Sequence, residues 1–319
     1  MANAQTDTAA DNADGGDKVL DCIIVGAGPA GLTAATYLER FHRDIVVLDA
    51  GSSRARWIPT THNCPGFPFG VGGVQLLEKL RTQACTFGAS IVDARVDKLE
   101  REGRGFVVRA AERRWRARCV LLATGIVDAM PPMEHLEDAI AAGVVRLCAI
   151  CDGYEASDER IAVYGPLQSA LRHALFLRTF SRRVSVVLSQ PDTVSADDTA
   201  LARAAQVRIL PVASGLQREG KTCRVRFAQR DEAVFDTIYP VLGEVVQSDL
   251  ATALGARAHE GALRVDDAQQ TSVDGVYAIG DVVLALNQIS VAVGHAAVAA
   301  TAIHNRLPAN YREVADEGR

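Results

Sequence analysis

One short segment near the start of the chain restricts the possible folds more than any other. An apolar run at residues 19–25, typical of a buried parallel strand, leads directly into Gly-Ala-Gly-Pro-Ala-Gly at residues 26–31. A helical pattern follows at residues 32–40, and a second apolar strand at residues 44–48 ends in Asp49. This order of strand, glycine-rich turn, helix, strand and acid predicts a doubly wound α/β unit.

The spacing of the glycines adds a chemical expectation. Gly26 permits the tight turn, Gly28 allows the backbone to approach a pyrophosphate, and Gly31 allows helix and strand to pack closely. The helix N-terminus attracts phosphate, and Asp49 at the end of the second strand can accept hydrogen bonds from a ribose. A glycine-rich turn alone can be purely structural, but in this order of elements it predicts a dinucleotide site.

The same theme recurs later in the chain. Residues 160–165 form another apolar strand and turn, followed by a helical pattern at 169–180 and a strand at 183–188. A late strand ends in Gly280-Asp281, where Asp281 could bind a ribityl or phosphate-linked hydroxyl. We therefore predict the α/β fold class, with two doubly wound Rossmann-like domains of three layers (ββα), the second inserted into the first.

The predicted domain organisation suits a chain of 319 residues, which is long enough for two ordinary domains. A disordered tail is expected at residues 1–18 and a discontinuous cofactor-binding domain at 19–128 and 246–319. Residues 129–245 are expected to form the inserted domain.

Composition excludes several classes of function. A net charge of −5 argues against nucleic acid as a main partner. The most apolar stretch, residues 291–303, is too short to span a bilayer. The polar, acidic start of the chain lacks the order of a secretion signal, so we expect a cytoplasmic protein.

The chemical centre predicted from the sequence is Cys-Ala-Ile-Cys-Asp at residues 148–152. The spacing brings the sulfurs of Cys148 and Cys151 within disulfide range, and Asp152 can move a proton to or from a leaving thiolate. Half of a zinc site and a pair of buried bystander thiols are the alternatives. The other cysteines are scattered without a second C-x-x-C, so the sequence predicts no metal site.

Five motifs, taken in order, resemble those of a known family. They are GAGPAG at 26–31, THNCPGFP at 61–68, LLATG at 121–125, CAICDG at 148–153 and TSVDGVYAIGDV at 271–282. With them the chain resembles the low-molecular-weight thioredoxin reductases, which are class II FAD-dependent pyridine nucleotide-disulfide oxidoreductases, over nearly its whole length. The resemblance is specific because the C-x-x-C-D lies inside the second domain rather than on the first helix.

The resemblance implies an FAD-dependent enzyme that forms a homodimer. Cys151 would face the isoalloxazine ring, Cys148 would exchange with an external disulfide, and Asp152 would be the acid–base group. The helix that starts at Gln288-Ile289 would point its positive end at the flavin. The residues that the resemblance assigns to FAD are Gly26, Gly28, Pro29, Ala30, Gly31, Asp49, Asn63, Thr124, Gly125, Gly280, Asp281, Gln288 and Ile289.

The chain departs from the family pattern where NADPH would bind. The second glycine motif is replaced by Gly-Pro-Leu-Gln-Ser-Ala at residues 165–170. A Leu167 side chain would occupy the space of a pyrophosphate, and Pro166 lacks an N–H donor. The family's basic cluster is replaced by Leu-Ser-Gln-Pro-Asp at residues 188–192. This fits the subgroup without a working pyridine-nucleotide site, and a reworked loop that still binds NADPH or NADH is the alternative.

We predict an FAD-dependent thiol–disulfide oxidoreductase that moves electrons between flavin, the Cys148–Cys151 pair and a thioredoxin-like disulfide or small dithiol, without NADPH. A ferredoxin-like protein is a candidate donor. The alternatives are an NADPH-dependent thioredoxin reductase, a dithiol oxidase that uses oxygen, and a non-catalytic FAD-binding redox sensor. Asp152 favours the reductase, because the oxidase branch tends to carry histidine after the second cysteine.

Three further residues have two interpretations each. His295, on the helix expected near the flavin, could act as an acid or base, but a satisfied core histidine is the expectation. Trp57 and Tyr311 could stack over the flavin, and for both we expect surface packing instead.

Overall fold

The computed structural model describes residues 18–228 and 231–312, so the predicted tail at residues 1–18 lies outside the described residues except for Lys18. The strands are β1 (Val19–Val25), β2 (Ile45–Asp49), β3 (Ile91–Asp93), β4 (Lys98–Glu102), β5 (Gly105–Ala110), β6 (Arg113–Leu122), β7 (Ile126–Asp128), β8 (Arg160–Gly165), β9 (Arg183–Leu188), β10 (Arg208–Glu219), β11 (Thr222–Phe227), β12 (Glu232–Phe235), β13 (Thr237–Pro240), β14 (Glu244–Val246), β15 (Ala258–His259), β16 (Ala262–Leu263) and β17 (Val276–Ala278). The α-helices are α1 (Pro29–Arg40), α2 (Gly73–Thr86), α3 (Leu136–Ala141), α4 (Ala149–Asp152), α5 (Leu167–Leu177), α6 (Ala196–Ala204), α7 (Asp249–Thr252) and α8 (Ile289–Arg306). Short 3-10 helices cover Arg54–Trp57 and Gly280–Val282.

The chain separates into two compact units by its internal contacts. The described part of the first unit comprises residues 18–55, 75–126 and 246–312. The second unit comprises residues 56–74, 127–228 and 231–245. The segment 56–74, which the sequence analysis placed with the cofactor-binding domain, therefore groups with the second unit.

The main sheet of the first unit is built around the glycine-turn segment. Its strand order is β3-β2-β1-β6-β5-β4, with β17 beside β6. Ile24 of β1 is aligned in parallel with Val47 on one side and with Leu121 on the other. Ile23 and Ile24 are both completely buried, as expected for a parallel strand that is covered on both faces.

Successive residues of β1 enter different cores, because neighbouring side chains on a strand point to opposite faces. Ile24 packs in a cluster with Leu38 of α1 and Ala296 of α8. Ile23 packs in a second cluster with Phe106 of β5 and with Trp115 at the start of β6, where β6 pairs antiparallel with β5. The parallel strands therefore carry a helical layer on one face and an antiparallel β layer on the other.

The second unit repeats this arrangement. Its sheet has the order β12-β11-β10-β9-β8-β13, in which β10, β9, β8 and β13 are parallel and β11 and β12 are antiparallel. Val163 of β8 lies in one core cluster with Leu171 of α5, whereas its neighbour Tyr164 lies in another with Val225 of β11. The predicted α/β class with two Rossmann-like units is confirmed.

No helix in residues 18–228 and 231–312 has both the length and the apolar character needed to cross a lipid bilayer.

Candidate functional site

The turn between β1 and α1 has the backbone geometry that its glycines predict. Gly26 has a φ of +105°, and a Cβ atom there would lie 2.4 Å from the carbonyl oxygen of Ala123. A Cβ atom on Gly31 would lie 1.9 Å from the carbonyl oxygen of Gly26. Both distances are far below van der Waals contact, so helix and strand pack this closely only with glycine at the two positions.

The first turns of α1 and α8 lack side-chain caps. At α1, Gly28 is the cap residue and Pro29 takes the first helical position, where a missing N–H costs nothing. At α8, Gln288 is the cap residue and Ile289 the first helical residue. No acidic side chain lies in either first turn. These helix ends retain their partial positive charge, which suits an anionic cofactor such as a dinucleotide.

Asp49 lies at the end of β2, as predicted, and an arginine holds its carboxylate. Its Oδ2 atom is 2.5 Å from Nη2 of Arg81 on α2, and its Oδ1 atom accepts a hydrogen bond from the N–H of Gly51 at 3.0 Å. A carboxylate has about four acceptor positions, so it can still accept from a ribose hydroxyl. The sequence analysis missed Arg81, which belongs to no motif.

The remaining candidate residues of the first unit include Thr124 and Gly125, which follow β6, and Gly280 and Asp281, which follow β17. The hydroxyl of Thr124 donates to the carbonyl oxygen of Gln247 at 2.6 Å, which holds the turn at Gly125. Asp281 lies 3.6 Å from Nη1 of Arg54, a second arginine that the sequence analysis missed. A Cβ atom on Gly280 would lie 3.1 Å from the Cβ of Ala30.

Asn63 is the exception among the residues assigned to FAD, because it belongs to the second unit. Its side-chain oxygen accepts a hydrogen bond from the hydroxyl of Thr61 at 2.7 Å. The other assigned residues all lie in the first unit.

Cys148 and Cys151 form a disulfide in the second unit, with an S–S distance of 2.05 Å and Cα atoms 5.3 Å apart. Cys148 caps α4, and its Sγ atom accepts a hydrogen bond from the N–H of Cys151 at 3.2 Å. The same N–H donor is placed to hydrogen-bond a thiolate at Cys148. Gly153 is needed behind this helix, because a Cβ atom there would lie 2.6 Å from the carbonyl oxygen of Ala149.

Asp152 is largely buried next to the disulfide, and both of its carboxylate oxygens have partners. The hydroxyl of Tyr239 donates to Oδ1 at 2.9 Å, and Nη1 of Arg146 lies 3.4 Å from Oδ2. Burial raises the pKa of Asp152, while the charge of Arg146 and the hydrogen bond from Tyr239 oppose that rise. Such a carboxyl group suits proton transfer better than an exposed aspartate would. The sequence analysis found Asp152 but neither partner.

The chain's own residues close the turn between β8 and α5, where the family pattern places the second nucleotide. The N–H of Leu167, in the first turn of α5, donates to Oδ2 of Asp192 at 3.3 Å. The other oxygen of Asp192 accepts from the N–H of Thr193 at 2.8 Å. A carboxylate therefore already lies at the helix end that would attract a phosphate.

The structure corrects the expected role of Leu167. Its side chain is completely buried in the core beside Val163 and Ala170, so it does not fill the space outside the turn. The group outside the turn is the carboxylate of Asp192. A second carboxylate, that of Asp198, accepts a hydrogen bond from Nε2 of Gln168 at 2.9 Å.

The sequence also raised a metal site and roles for His295, Trp57 and Tyr311. Within residues 18–228 and 231–312, no group of three or more His, Cys, Asp or Glu side chains could hold a metal ion. The expectation of a satisfied core histidine at position 295 is wrong, because the Nδ1 atom of His295 is buried without a hydrogen-bond partner, and burial lowers the pKa of this imidazole. Trp57 packs against the core of the second unit, and Tyr311 is 93% exposed.

The chain matches known proteins over most of its length. Residues 20–296 match the sequence model of the pyridine nucleotide-disulphide oxidoreductase family. A thioredoxin reductase from Mycolicibacterium smegmatis is 32% identical over 83% of this chain and 89% of its own length. The crystal structure of HlmI superimposes with a TM-score of 0.83 at 30% identity, over 91% of this chain and 93% of that one. The thioredoxin reductase from Streptococcus pyogenes MGAS5005 superimposes with a TM-score of 0.81 at 25% identity, over 92% and 98%.

The chain therefore belongs to the pyridine nucleotide-disulphide oxidoreductase family. Its relatives, its Rossmann-like units and the Cys148–Cys151 disulfide define an FAD-dependent disulfide oxidoreductase of the thioredoxin reductase type. The predicted family and class of enzyme are confirmed, and membership implies that the protein binds FAD.

Proposed function

We propose that the protein moves electrons between bound FAD, the Cys148–Cys151 pair and a thioredoxin-like disulfide, and that NADPH is not its electron donor. The disulfide with the buried Asp152 beside it supports the exchange reaction. The carboxylate of Asp192 at the N-terminus of α5 is the observation that carries the exclusion of NADPH.

The first unit contains groups that fit FAD. The uncapped N-terminus of α1, with Gly28 at its cap, suits the pyrophosphate, and Asp49 suits a ribose hydroxyl. Asp281 and the uncapped N-terminus of α8 suit the ribityl and flavin portions. When bound, FAD supplies a carrier that can exchange an electron pair with a disulfide.

Cys148 and Cys151 perform the exchange with the partner. In the dithiol form, the Cys148 thiolate attacks one sulfur of the partner's disulfide, forming a mixed disulfide as the partner's S–S bond breaks. Cys151 then attacks the sulfur of Cys148, which restores the internal disulfide and releases the partner as a dithiol. Asp152 accepts the proton of the attacking thiol and returns it to the leaving thiolate. One electron pair and its protons pass to the partner.

Negative charge at the start of α5 disfavours NADPH. A phosphate at α5 would have to displace Asp192 from the N–H of Leu167 or lie next to its negative charge. Residues 188–192 supply no cation that could hold a 2′-phosphate. Asp198, bonded to Gln168, adds a further negative charge beside α5.

An NADPH-dependent thioredoxin reductase is the second candidate, because the first glycine of the motif is retained. A Cβ atom on Gly165 would lie 2.7 Å from the carbonyl oxygen of Val241, so this turn keeps the close packing of a nucleotide-binding fold. Family membership favours the same alternative.

An anaerobic titration of the purified flavoprotein separates these functions. NADPH, NADH and a dithiol are added separately while the flavin absorbance is followed. We expect the dithiol to bleach the flavin and both nicotinamide nucleotides to leave it unchanged. Bleaching by near-stoichiometric NADPH would establish the second candidate. Hydrogen peroxide formed from a dithiol in air would indicate an oxidase, and no reduction by any donor would indicate a sensor.

A cysteine substitution tests the exchange itself. Cys148→Ser should abolish reduction of a thioredoxin-like disulfide and leave FAD bound. Cys85→Ser is the matched control, because Cys85 is an exposed thiol outside the disulfide. Unchanged turnover in Cys148→Ser would refute the mechanism.

The resemblance to the family extends the proposed function to the protein's location, assembly and partners. The protein acts in the cytoplasm as a homodimer, its partner is a thioredoxin-like protein or a small dithiol, and a ferredoxin-like protein supplies electrons. Sedimentation equilibrium measures the oligomeric state, and flavin reduction by a reduced ferredoxin measures the donor.

A further inference from the structure

Two donors on adjacent backbone segments hold the carboxylate of Asp152. Tyr239, on β13, donates to Oδ1 at 2.9 Å, and Arg146 lies 3.4 Å from Oδ2. The segments that carry the two donors are paired, because Val145 and Ile238 form a parallel β-bridge. The N–H of Arg146 also donates to the carbonyl oxygen of Ile238 at 3.0 Å. The two donors are therefore fixed relative to each other by backbone hydrogen bonds.

The surroundings of this carboxylate are rich in acids. Burial raises the pKa of Glu159, the charge of Arg146 opposes that rise, and Asp152 adds to it. Glu155 acts on Asp152 in the same direction. One buried carboxylate oxygen of Glu155 and one of Glu159 have no hydrogen-bond partner, and neither has Nε of Arg146. The charged and titratable groups around Asp152 are Arg146, Tyr239, Glu155 and Glu159, with His62 paired to Glu155 and Arg160 paired to Asp236.

Resting on the proposed function, we propose that Tyr239 and Arg146 are positioning residues for the proton transfer at Asp152. Tyr239 holds Oδ1 and Arg146 holds Oδ2, and together they keep the carboxyl group ionised between turnovers despite the neighbouring acids. Asp152 is then ready to accept the proton of the attacking thiol. The proton returns from Asp152 to the thiolate that leaves the partner's disulfide, so Asp152 is ionised again after each step and the transferred protons come from the thiols of Cys148 and Cys151.

The hydroxyl of Tyr239 is the part of this residue that packing alone does not explain. Tyr239 is 2% exposed, and its ring lies in the core cluster with Val163 and Leu167. Phenylalanine would fill the same space. Tyr164, on the paired strand β8, is a buried tyrosine whose raised pKa has burial as its cause and no contribution from Asp152. Tyr164→Phe therefore removes a tyrosine hydroxyl from the neighbouring strand and leaves the hydrogen bonds of the Asp152 carboxylate in place.

Infrared spectroscopy of the full-length flavoprotein tests the positioning directly. In the oxidised state Cys148 and Cys151 form the disulfide and do not titrate, and the protonated carboxyl band that disappears in Asp152→Asn belongs to Asp152. We expect its titration midpoint to rise by about one pH unit in Tyr239→Phe, the size expected for one lost hydrogen bond to a charged group. Arg146→Gln should raise the midpoint at least as far, Arg146→Lys should restore part of the shift, and Tyr164→Phe should leave it unchanged.

The exchange reaction supplies the second measurement. The rate at which the reduced protein cleaves an alkyl disulfide is measured as a function of pH. In Tyr239→Phe this pH profile should move to higher pH, as the titration midpoint does. A wild-type midpoint or an unmoved profile in this variant would overturn the positioning role. If Arg146→Gln does not fold, Tyr239→Phe decides alone, since it keeps the ring. A wild-type protein that cleaves no disulfide would instead overturn the proposed function, and the catalytic meaning of the two donors with it.

Discussion

Two alanine substitutions in the same turn should have different effects. Gly28→Ala should mainly weaken cofactor binding, and Gly31→Ala should mainly destabilise the fold. A Cβ atom on Gly28 would lie 3.3 Å from Oγ of Ser53, a side-chain atom that can move. A Cβ atom on Gly31 would lie 1.9 Å from a backbone oxygen that cannot move without opening the turn. We expect Gly28→Ala to cost about 1 kcal/mol of unfolding free energy and Gly31→Ala about 4 kcal/mol or more.

The effect of Gly28→Ala on FAD should be larger than its effect on folding. The second glycine of this motif is where the backbone approaches the pyrophosphate. A methyl group there removes at least one hydrogen bond to a charged phosphate, worth about 1.5–3 kcal/mol, so the Kd for FAD should rise roughly tenfold to a hundredfold.

Two assays read these effects separately. Urea denaturation gives the unfolding free energy, and quenching of FAD fluorescence on titration into apoprotein gives the Kd. Gly215→Ala is the matched control, because a Cβ atom there would meet nothing within 4 Å. An unchanged Kd in Gly28→Ala would refute the assignment of the pyrophosphate to this turn. A Gly31→Ala variant as stable as the wild type would refute the packing argument.

Two further predictions concern carboxylates. Asp192→Ala removes the acceptor for the N–H of Leu167, so urea denaturation should show a loss of about 1 kcal/mol. NADPH should still fail to bleach the flavin, because residues 188–192 supply no cation for its 2′-phosphate, and bleaching would contradict the need for that cation. Burial and the charge of Asp44 raise the pKa of Glu39 from 4.5 to about 7, so the folded state binds this proton more tightly than the unfolded state does. Its contribution to stability is therefore complete below about pH 4.5 and is lost as the pH rises through 7. Above pH 7, the unfolding free energy of Glu39→Gln should exceed that of the wild type by about 1 kcal/mol, after allowance for partial exposure. An unfolding free energy with the same pH dependence in Glu39→Gln and in the wild type would contradict this.

The buried parallel strands could be predicted from the sequence because their signal is local. Residues 19–25, 160–165 and 183–188 were predicted as strands, and β1, β8 and β9 have those bounds. Each is an apolar run bounded by polar or glycine residues, which leaves little choice of conformation. The start of α1 was less clear, because its first turn contains Pro29 and glycine rather than a periodic apolar pattern.

The partners of the candidate site could not be predicted in this way, because they come from distant parts of the chain. Arg146 and Tyr239 meet at Asp152 through the β-bridge between Val145 and Ile238, and no local pattern encodes that bridge. The contact of Asp192 with α5 likewise depends on how the loop after β9 folds back. The sequence showed that residues 188–192 contain no cation. It did not show that the carboxylate of Asp192 accepts a hydrogen bond at the start of α5, where a bound phosphate would otherwise lie.

The two glycine-turn units differ in the group that accepts hydrogen bonds at the start of the helix. At α1 no side chain caps the first turn, so an external anion is the natural acceptor for its N–H groups. At α5 Asp192 is that acceptor, and Leu167 places its side chain in the core where glycine would contribute nothing. Burying a leucine side chain contributes about 1.5–3 kcal/mol, which a return to glycine would forfeit. Under the proposed function, electrons must then enter the flavin through the Cys148–Cys151 pair or from a donor protein.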